Sequence, residues 1–553
     1  MRRALGVRVV IAVVGLLPFG CAPDGPDVPV AASTFEPVVL DDVTVVDHRG
    51  QDRVDVIALD NVFVDPAIRI DVGSTVVWHN DGHSKHTINP GTGATDVAGL
   101  ATDDLVVGAE HSTTFDRPGV IEYFCHLHGN STRGMVGAII VGDAPTSVAT
   151  TVEAVSTESA SSAASSTPSS SPSVSTTTSS LASMTIRVPS EVQTIQAAVD
   201  RAEPGALVLI APGTYHEAVV VTRDDIHIRG ESRNSVVLDG EHELDNGIEV
   251  LEADGVTIEN LTVMRYMNDG VFWTGVTGYR ASYVSAINNG YYGIYAFDSA
   301  SGVFEHSYAS GSPDSGFYIG QCTACDAIVT DVVGENNNFG YAGVNTGDVV
   351  IENSTWRHNR AGIVTGSFDH ELFAPERTTT IRDNIVEDNG DPLATSPATL
   401  DFDAAFGAGI VVVGGLDNVV SRNHVTGSAR VGIAVVPNPK LQKNFWPAER
   451  NVVMDNVVSG SGQIDLMLVA IPDLGGNCFT DNDFVTSGPL TIENAAPCAG
   501  EPTANATDGV PDLARYLDTS SNPPGVPYQQ QPLPEPQAEM PQPLTTKPAA
   551  VQR

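Results

Sequence analysis

A glycine followed by an apolar strand recurs at a fixed interval in the second half of this chain. The first four of these glycines are each 23 residues apart, and the later ones keep the phase more loosely. The glycines of the series are Gly247, Gly270, Gly293, Gly316, Gly343, Gly362, Gly409 and Gly432. A repeat of this length, with short strands and no helix between them, predicts a solenoid in which each coil buries its neighbour.

The corners and the entrance of this solenoid also have sequence signals. Four asparagines, Asn289, Asn338, Asn359 and Asn389, stand just before the glycine elements. Such short side chains tolerate left-handed backbone and can stack as a ladder. Residues 190–202 form an amphipathic pattern, with Ser190 as the predicted N-cap of a helix that covers the first coil.

Two segments link this repeat to a known fold. Residues 212–217 (PGTYHE) resemble the entrance to pectin-lyase-like β-helices, and residues 314–321 (DSGFYIGQ) resemble a segment of bacterial β-helix repeat proteins. The resemblance implies a right-handed parallel β-helix over residues 185–510.

A cluster of sulfur and imidazole side chains in the first half of the chain carries the strongest chemical signal. Cys125, His128 and Met135 lie on one segment, and His86 precedes the cysteine by 39 residues. An electron-transfer copper ion takes two imidazoles and a thiolate in a near-trigonal plane, with a weak axial thioether. We therefore predict that these four residues bind one type 1 copper ion, with Thr87 beside the thiolate loop.

The spacing Cys-x2-His-x6-Met, with its distant histidine, resembles the plastocyanin and amicyanin branch of the cupredoxins over residues 52–143. Short apolar runs broken by turns in this region have the length of sandwich strands. The resemblance implies a Greek-key sandwich with electron-transfer activity. The gap from histidine to methionine is longer than in the commoner ligand loops. His79, His83 and His126 do not match the motif and are interpreted as exposed neighbours, with a second surface copper site as the alternative.

Composition separates the remaining segments. Residues 144–184 are almost wholly Ser, Thr, Ala, Pro and Val, which predicts a disordered linker because little apolar area is available for burial. Residues 22–51 are predicted to be a tether, and the Pro- and Gln-rich residues 511–553 a disordered tail. The predicted fold class is all-β, a sandwich joined by a disordered linker to a parallel β-helix.

The amino-terminal residues predict export. Residues 1–21 have two early arginines and an apolar run, which is typical of a secretory signal. The ending LPFGC resembles a bacterial lipobox, which implies lipidation of Cys21; cleavage and secretion without lipid is the alternative.

The chain has 68 acidic against 28 basic residues, which argues against nucleic acid or anionic lipid as partners. Contact with a membrane is therefore expected only through a lipid anchor.

The other four cysteines form two local pairs in the repeat region. In an oxidising compartment, Cys322 with Cys325 and Cys478 with Cys498 are predicted to form disulfides. A redox-active or zinc-binding role for the first pair is the alternative.

The sequence of the β-helix is compatible with more than one function. Some pectin-lyase-like helices cleave or epimerise acidic polysaccharides, and the weak candidates here are Asp314, His370, Asp401 and Asp403. Aspartates beside Asn and Gly are usually turn residues. We therefore favour an exported electron carrier whose β-helix binds a cell-wall polysaccharide or a protein, with a redox partner that the sequence does not identify. The alternatives are a carbohydrate-active β-helix with an accessory copper domain, and copper delivery.

Overall fold

The computed structural model describes residues 45–541 except 83–84, 92–96, 132, 145–183, 399, 439–443, 470–474, 506–507, 511 and 517. The predicted signal segment with Cys21 and nearly all of the predicted linker lie outside the described residues. Both β domains belong to one compact unit, Pro37–Arg553. Among the described residues, no helix has the length and apolar character needed to cross a bilayer.

The first domain is a sandwich of two sheets. One sheet has the strand order β1-β4-β10-β9-β6-β7, and the other has the order β3-β2-β5-β8. The described strands are β1 (Val45–Asp47), β2 (Arg53–Leu59), β3 (Val62–Phe63), β4 (Ala67–Ile70), β5 (Thr75–Asn80), β6 (His86–Pro90), β7 (Thr102–Leu105), β8 (Glu110–Thr114), β9 (Gly119–Gly129) and β10 (Gly134–Val141).

Alternating apolar residues build the core of this sandwich. In β2, Val54, Val56 and Ala58 are buried while Asp55 is exposed, as expected for a strand with one face on a core. The domain begins earlier than predicted, because β1 pairs in parallel with β4 through Val45 and Ala67. The last residues of the predicted tether therefore belong to the sheet.

The second domain is a parallel β-helix. Helix α1 (Ile195–Arg201) lies at its start, α2 (Ile492–Ala495) at its end and α3 (Leu513–Tyr516) beyond it; 3-10 turns cover Leu400–Ala405 and Tyr528–Gln530. Its described strands are β11 (Thr185–Val188), β12 (Leu207–Ile210), β13 (Gly213–Tyr215), β14 (Val219–Val221), β15 (His227–Gly230), β16 (Val236–Asp239), β17 (Ile248–Leu251), β18 (Thr257–Met264), β19 (Val271–Thr274), β20 (Arg280–Ile287), β21 (Ile294–Phe297), β22 (Val303–Glu305), β23 (Tyr308–Ser310), β24 (Ser315–Cys322), β25 (Ala327–Thr330), β26 (Val333–Glu335), β27 (Phe339–Thr346), β28 (Val349–Glu352), β29 (Thr355–Arg357), β30 (Ala361–Gly366), β31 (Thr380–Arg382), β32 (Ile385–Glu387), β33 (Ala408–Val413), β34 (Val419–Ser421), β35 (His424–Thr426), β36 (Val431–Val436), β37 (Val452–Met454), β38 (Val457–Ser459), β39 (Ile464–Leu468), β40 (Cys478–Thr480) and β41 (Ser487–Gly488).

The predicted repeat corresponds to one sheet of this solenoid. The eleven-stranded sheet has the order β14-β17-β19-β21-β24-β27-β30-β33-β36-β39-β41, and the other twenty strands form the second sheet. In the eleven-stranded sheet Ile248, Val271, Ile294 and Phe317 stand in register, so each of these coils takes 23 residues. The prediction of stacked parallel strands is therefore confirmed.

Asparagine ladders connect the coils, as predicted. The residues with left-handed backbone, however, are not the asparagines for which this conformation was predicted. The amide of Asn337 donates to Asn359 Oδ1 at 3.1 Å, and that of Asn359 donates to Asn389 Oδ1 at 3.2 Å. Asn337 thus occupies the place predicted for Asn338. The positive φ angle belongs to the residue before each ladder asparagine, for example His358 at 53°. The ladder asparagines themselves, Asn337, Asn359 and Asn389, do not have positive φ angles.

The entrance helix is shorter than predicted. Helix α1 begins at Ile195, and its N-cap is Thr194 rather than Ser190; the Thr194 hydroxyl accepts from the N–H of Ala197 at 3.2 Å. The side chain of Glu217 accepts from two further free N–H groups of this first turn, at 3.1 Å each. This long-range cap fixes where the helix starts.

Part of the predicted disordered tail is ordered. Residues 518–541 run back along the coils, and polar side chains of the β-helix bind this segment's backbone. Asn288 Nδ2 donates to the carbonyl of Gln531 at 2.9 Å, and Asn234 Nδ2 donates to that of Gln537 at 2.8 Å. Glu539 in turn accepts from the N–H of Arg233 at 2.8 Å. The segment is held by hydrogen bonds rather than by an apolar face, so its composition did not indicate order.

Candidate metal centre

Three strands of the sandwich bring the predicted copper ligands together. His86 opens β6, Cys125 and His128 lie in β9, and Met135 follows Gly134 at the start of β10. Strand β9 pairs with both β6 and β10, so all four residues stand at the same end of one sheet. Met135 is 1% exposed and belongs to the same core cluster as Cys125.

The imidazole nitrogens and the thiol sulfur form a triangle small enough to share one ion. His86 Nδ1 lies 3.1 Å from His128 Nδ1, and Cys125 Sγ lies 3.8 Å and 3.4 Å from these two nitrogens. A point about 2.0 Å from all three atoms exists inside this triangle, close to the bond lengths of roughly 2.0–2.3 Å that first-row metals make to nitrogen and sulfur.

Burial sets the protonation of these donors. It lowers the pKa of His86 to about 3, and it also lowers the pKa of His128 well below its usual value, with the neighbouring His86 adding to the effect. Both imidazoles are therefore neutral and able to donate a lone pair. Burial raises the pKa of the Cys125 thiol. A soft cation that replaces the thiol proton fits this donor set.

Thr87 fixes the sulfur and its neighbour. Its backbone N–H points at Cys125 Sγ from 3.4 Å, and its hydroxyl lies 3.7 Å from the same sulfur. The hydroxyl oxygen also accepts from the N–H of His126 at 3.0 Å and from Asn89 Nδ2 at 2.7 Å. The residue predicted to stand beside the thiolate loop therefore connects two strands around it.

The long gap between His128 and Met135 is closed by a turn. The N–H of Asn130 donates to the carbonyl of Arg133 at 2.9 Å, and the N–H of Arg133 donates back to Asn130 Oδ1 at 3.0 Å. Gly134 has a φ of +79°, and a Cβ there would lie 2.5 Å from the carbonyl oxygen of His128. Only glycine fits this close approach, which returns the chain to Met135 despite the longer loop.

The other histidines of the region have different partners. His79 Nε2 lies 2.8 Å from Asp55, and its Nδ1 lies 3.3 Å from Glu110, on the outer surface of the sandwich. His126 contacts Thr87 and is 38% exposed. His83 lies outside the described residues. The alternative of a second surface copper site stays a prediction.

The ligand-loop end of the sandwich contacts the β-helix. Asn246 Nδ2 donates to the carbonyl of Leu127, beside His128, at 3.0 Å. The carboxylate of Glu252 accepts from the N–H of Gly134 at 3.1 Å, and its backbone carbonyl accepts from Arg133 at 2.8 Å. The ligand-loop end of the sandwich thus packs against the outward face of the eleven-stranded sheet. This face is apolar and aromatic at Phe272, Tyr295 and Tyr318.

The structure separates the four weak candidates of the β-helix. Asp314 and His370 line one cavity on this outward face, and burial raises the pKa of Asp314 to about 8. Asp403 instead accepts from Arg360 Nε at 3.0 Å. Asp401 lies in the 3-10 turn, and its side chain lies outside the described part of the chain. Sequence reasoning missed Asp60 and Glu371, which stand next to His370.

Both predicted disulfides are present. Cys322 is bonded to Cys325, and Cys478 to Cys498. Among the described cysteines Cys125 alone is free, and it is buried. The disulfides are typical of proteins outside the reducing cytoplasm.

Comparisons with known proteins match both domains. Residues 53–142 match copper binding proteins of the plastocyanin/azurin family, and residues 246–445 match the right-handed β-helix region. A halocyanin of Natronomonas pharaonis is 35% identical over 114 residues, which are 20% of this chain and 68% of that protein. The solved A-module of the mannuronan C-5 epimerase AlgE4 of Azotobacter vinelandii is 16% identical with a TM-score of 0.38, over 53% of this chain and 91% of that one. A Cu(I) amicyanin mutant is 23% identical with a TM-score of 0.15, over 16% and 83%. Both predicted folds are confirmed.

Proposed function

Because the chain belongs, through residues 53–142, to the plastocyanin/azurin family of copper-binding proteins, we propose that it is an exported electron-transfer protein. His86, Cys125 and His128 would hold one type 1 copper ion, and Met135, buried in the same core cluster, would supply the fourth ligand. The observation that carries this proposal is the buried triangle of two imidazoles and one thiol.

A bound copper ion would supply the one-electron redox change, and the chain supplies a stiff site. The two β-sheets fix the strands that bear the ligands, and the hydrogen bond from Thr87 holds the sulfur in one position. Exclusion of water by burial keeps solvent from reorganising around the ligands. Small reorganisation is what makes electron exchange fast at such a site.

A spectrum of the copper-loaded full chain tests this proposal. We expect an intense thiolate-to-copper charge-transfer band and a paramagnetic resonance signal of one copper ion per chain. Cys125→Ser should abolish the band because it removes the thiolate, whereas His79→Gln should keep it because His79 binds Asp55 and Glu110 instead. A band that survives Cys125→Ser, or native protein without the band, would contradict the assignment.

We further propose that the β-helix is a binding scaffold for the copper domain. The support is the set of contacts from Asn246 and Glu252 to the ligand-loop end of the sandwich. These contacts hold the copper domain beside the outward face of the solenoid, where a polysaccharide or a protein partner would be bound.

A carbohydrate-active β-helix is a second candidate, because Asp314 and His370 line one cavity. The cavity is mainly apolar, and Asp60 of the sandwich also lines it. An acidic polysaccharide needs polar and cationic groups along an open cleft, so this arrangement favours the scaffold role. Incubation of the full chain with uronate polysaccharides tests the point: unsaturated products that disappear in Asp314→Asn would support catalysis, and no products would support the scaffold.

We also propose export with a lipid on Cys21. The disulfides and the halocyanin match support a location outside the cytoplasm. Metabolic labelling with a radioactive fatty acid should mark the native protein but not Cys21→Ala. A native protein that is exported without label would show secretion without an anchor.

A further inference from the structure

A second group of metal-binding side chains lies where the sandwich meets the β-helix. Asp60 directly follows β2 of the sandwich, whereas His370 and Glu371 lie in the loop between β30 and β31. One donor atom from each of the three lies within 4.8 Å of the other two, and all three residues are buried. None of them belongs to the copper triangle.

The loop that carries two of these donors is fixed by the outward face of the eleven-stranded sheet. Asn345 Nδ2 donates to the carbonyl of Glu371 at 2.8 Å, and Gln321 Oε1 accepts from the N–H of Leu372 at 2.9 Å. The hydroxyl of Tyr318 donates to Glu371 Oε1. Hydrogen bonds of this kind orient a carboxylate that binds a metal.

The carboxylate of Glu371 is incompletely satisfied. Its second oxygen, Oε2, is buried with no hydrogen-bond partner among the described residues, and the residue is 5% exposed. An ionised carboxylate in such a place is costly unless a cation compensates it.

We propose that Asp60, His370 and Glu371 bind a divalent first-row transition ion, with Zn²⁺ as the best match. One imidazole and two carboxylates are ligands that zinc accepts, and the absence of sulfur from this trio disfavours Cu(I). In a tetrahedral site, donors bonded at about 2.1 Å stand roughly 3.4 Å apart, so a group whose donor atoms lie within 4.8 Å of one another must close by up to about 1.4 Å.

The adjoining cavity gives the ion access and a fourth ligand. Asp60 and His370 line this cavity, which has a volume of about 140 Å³. A water molecule fits such a space, and three protein ligands plus water complete a tetrahedral zinc site. Because Asp60 comes from the sandwich, the ion joins the two domains.

Calorimetric titration of the copper-loaded full chain with Zn²⁺ tests the proposal. The copper site is filled first, and its charge-transfer band is followed during the titration to show that copper stays bound. We expect one equivalent of zinc to bind, and metal analysis after gel filtration should give the same ratio. Glu371→Gln and Asp60→Asn should each weaken zinc binding at least tenfold, because each removes one charged donor without changing side-chain size.

Matched variants control for surface carboxylates. Glu387→Gln and Asp55→Asn change acids that lie outside the trio, on β32 and β2, and both should bind zinc as the native chain does. Native protein that binds no zinc beyond the copper site would overturn the proposal. Unchanged affinity in both Glu371→Gln and Asp60→Asn would do the same. The copper band is expected in all four variants and shows that they are folded.

Discussion

Thr87 places a backbone N–H and a hydroxyl beside the sulfur of Cys125, at 3.4 Å and 3.7 Å. Hydrogen bonds around a copper-bound thiolate tune the reduction potential, since they draw electron density from the sulfur. We expect Thr87→Val to lower the potential of the copper centre, because the hydroxyl contact is lost. The same change should lower the free energy of unfolding by about 1–3 kcal/mol, because His126 and Asn89 lose a buried acceptor. Spectroelectrochemistry and urea denaturation measure the two effects.

Thr75→Val is the matched control, since the Thr75 hydroxyl is exposed and contacts only that of Thr114 among the described hydrogen bonds. It should leave the reduction potential unchanged. A potential that rises, or that does not move, in Thr87→Val would contradict a role of the hydroxyl at the sulfur.

Single residues were predictable from the sequence where their chemistry is rare and their spacing local. Cys125, His128 and Met135 lie on one segment, and their combination indicates copper before any fold is known. Asp60 and Glu371 could not be found in this way. They are common acidic residues separated by more than half the chain, and only the docking of the two domains brings them together.

The asparagine ladder that begins at Asn384 stabilises the later coils as an element. Asn423 stands in its interior: its side chain donates to the carbonyl of Ile381 at 2.9 Å and to Asn456 at 3.0 Å, and it accepts from Asn384. We expect Asn423→Ala to lower the free energy of unfolding by roughly 2–4 kcal/mol, because it leaves buried backbone groups without partners. Urea denaturation followed by circular dichroism measures this loss.

Asn482, at the far end of the same ladder, is only half-buried and serves as the comparison. Asn482→Ala should destabilise less, because water can reach the groups that it exposes. Equal losses in the two variants would show that position in the ladder has no influence on stability.

Elements were predictable where the sequence repeats. The glycine series gave the strands of the eleven-stranded sheet because each coil buries the same positions. The start of α1 and the path of residues 518–541 were not predictable. The helix start depends on Glu217 reaching back more than twenty residues, and the tail is held by amides of distant coils. Neither contact leaves a periodic pattern.

At the scale of the whole molecule, the association of the two domains was also not predictable from the sequence. The sequence predicted only a disordered linker between the domains, whereas Asn61, Leu127 and Arg133 of the sandwich contact the β-helix. The residues on the β-helix side, such as Asn246 and Glu252, have the composition of ordinary turns. Docking is thus a property of surfaces assembled from many coils.

The charged and buried acidic groups of the whole molecule determine how its stability depends on pH. Two features make the folded chain more stable at acidic pH. One is its net charge of −40, and the other is the set of carboxyls buried on the outward face of the β-helix. Burial raises the pKa of Asp314 to about 8 and that of Glu249 also to about 8. The folded chain therefore keeps protons that the unfolded chain releases near pH 4. Stability is fully present below that value and falls as pH rises towards 8, by about 1.4 kcal/mol per pH unit for each such group.

Asp314→Asn should remove one such group, so that the free energy of unfolding falls less steeply between pH 5 and about pH 8 than in the native chain. The free energy of unfolding of the variant should exceed that of the native chain most near pH 8. At that pH the native chain must either ionise a buried carboxyl or keep it protonated, and both cost free energy. Asp348→Asn changes an exposed residue with a left-handed backbone that asparagine tolerates, and its slope should match the native one. Urea denaturation across this pH range, with a chelator present so that no added ion compensates the carboxylates, measures the slopes. Parallel native and Asp314→Asn curves would mean that Asp314 is already ionised in the folded protein, and that the cavity admits enough water to solvate its charge.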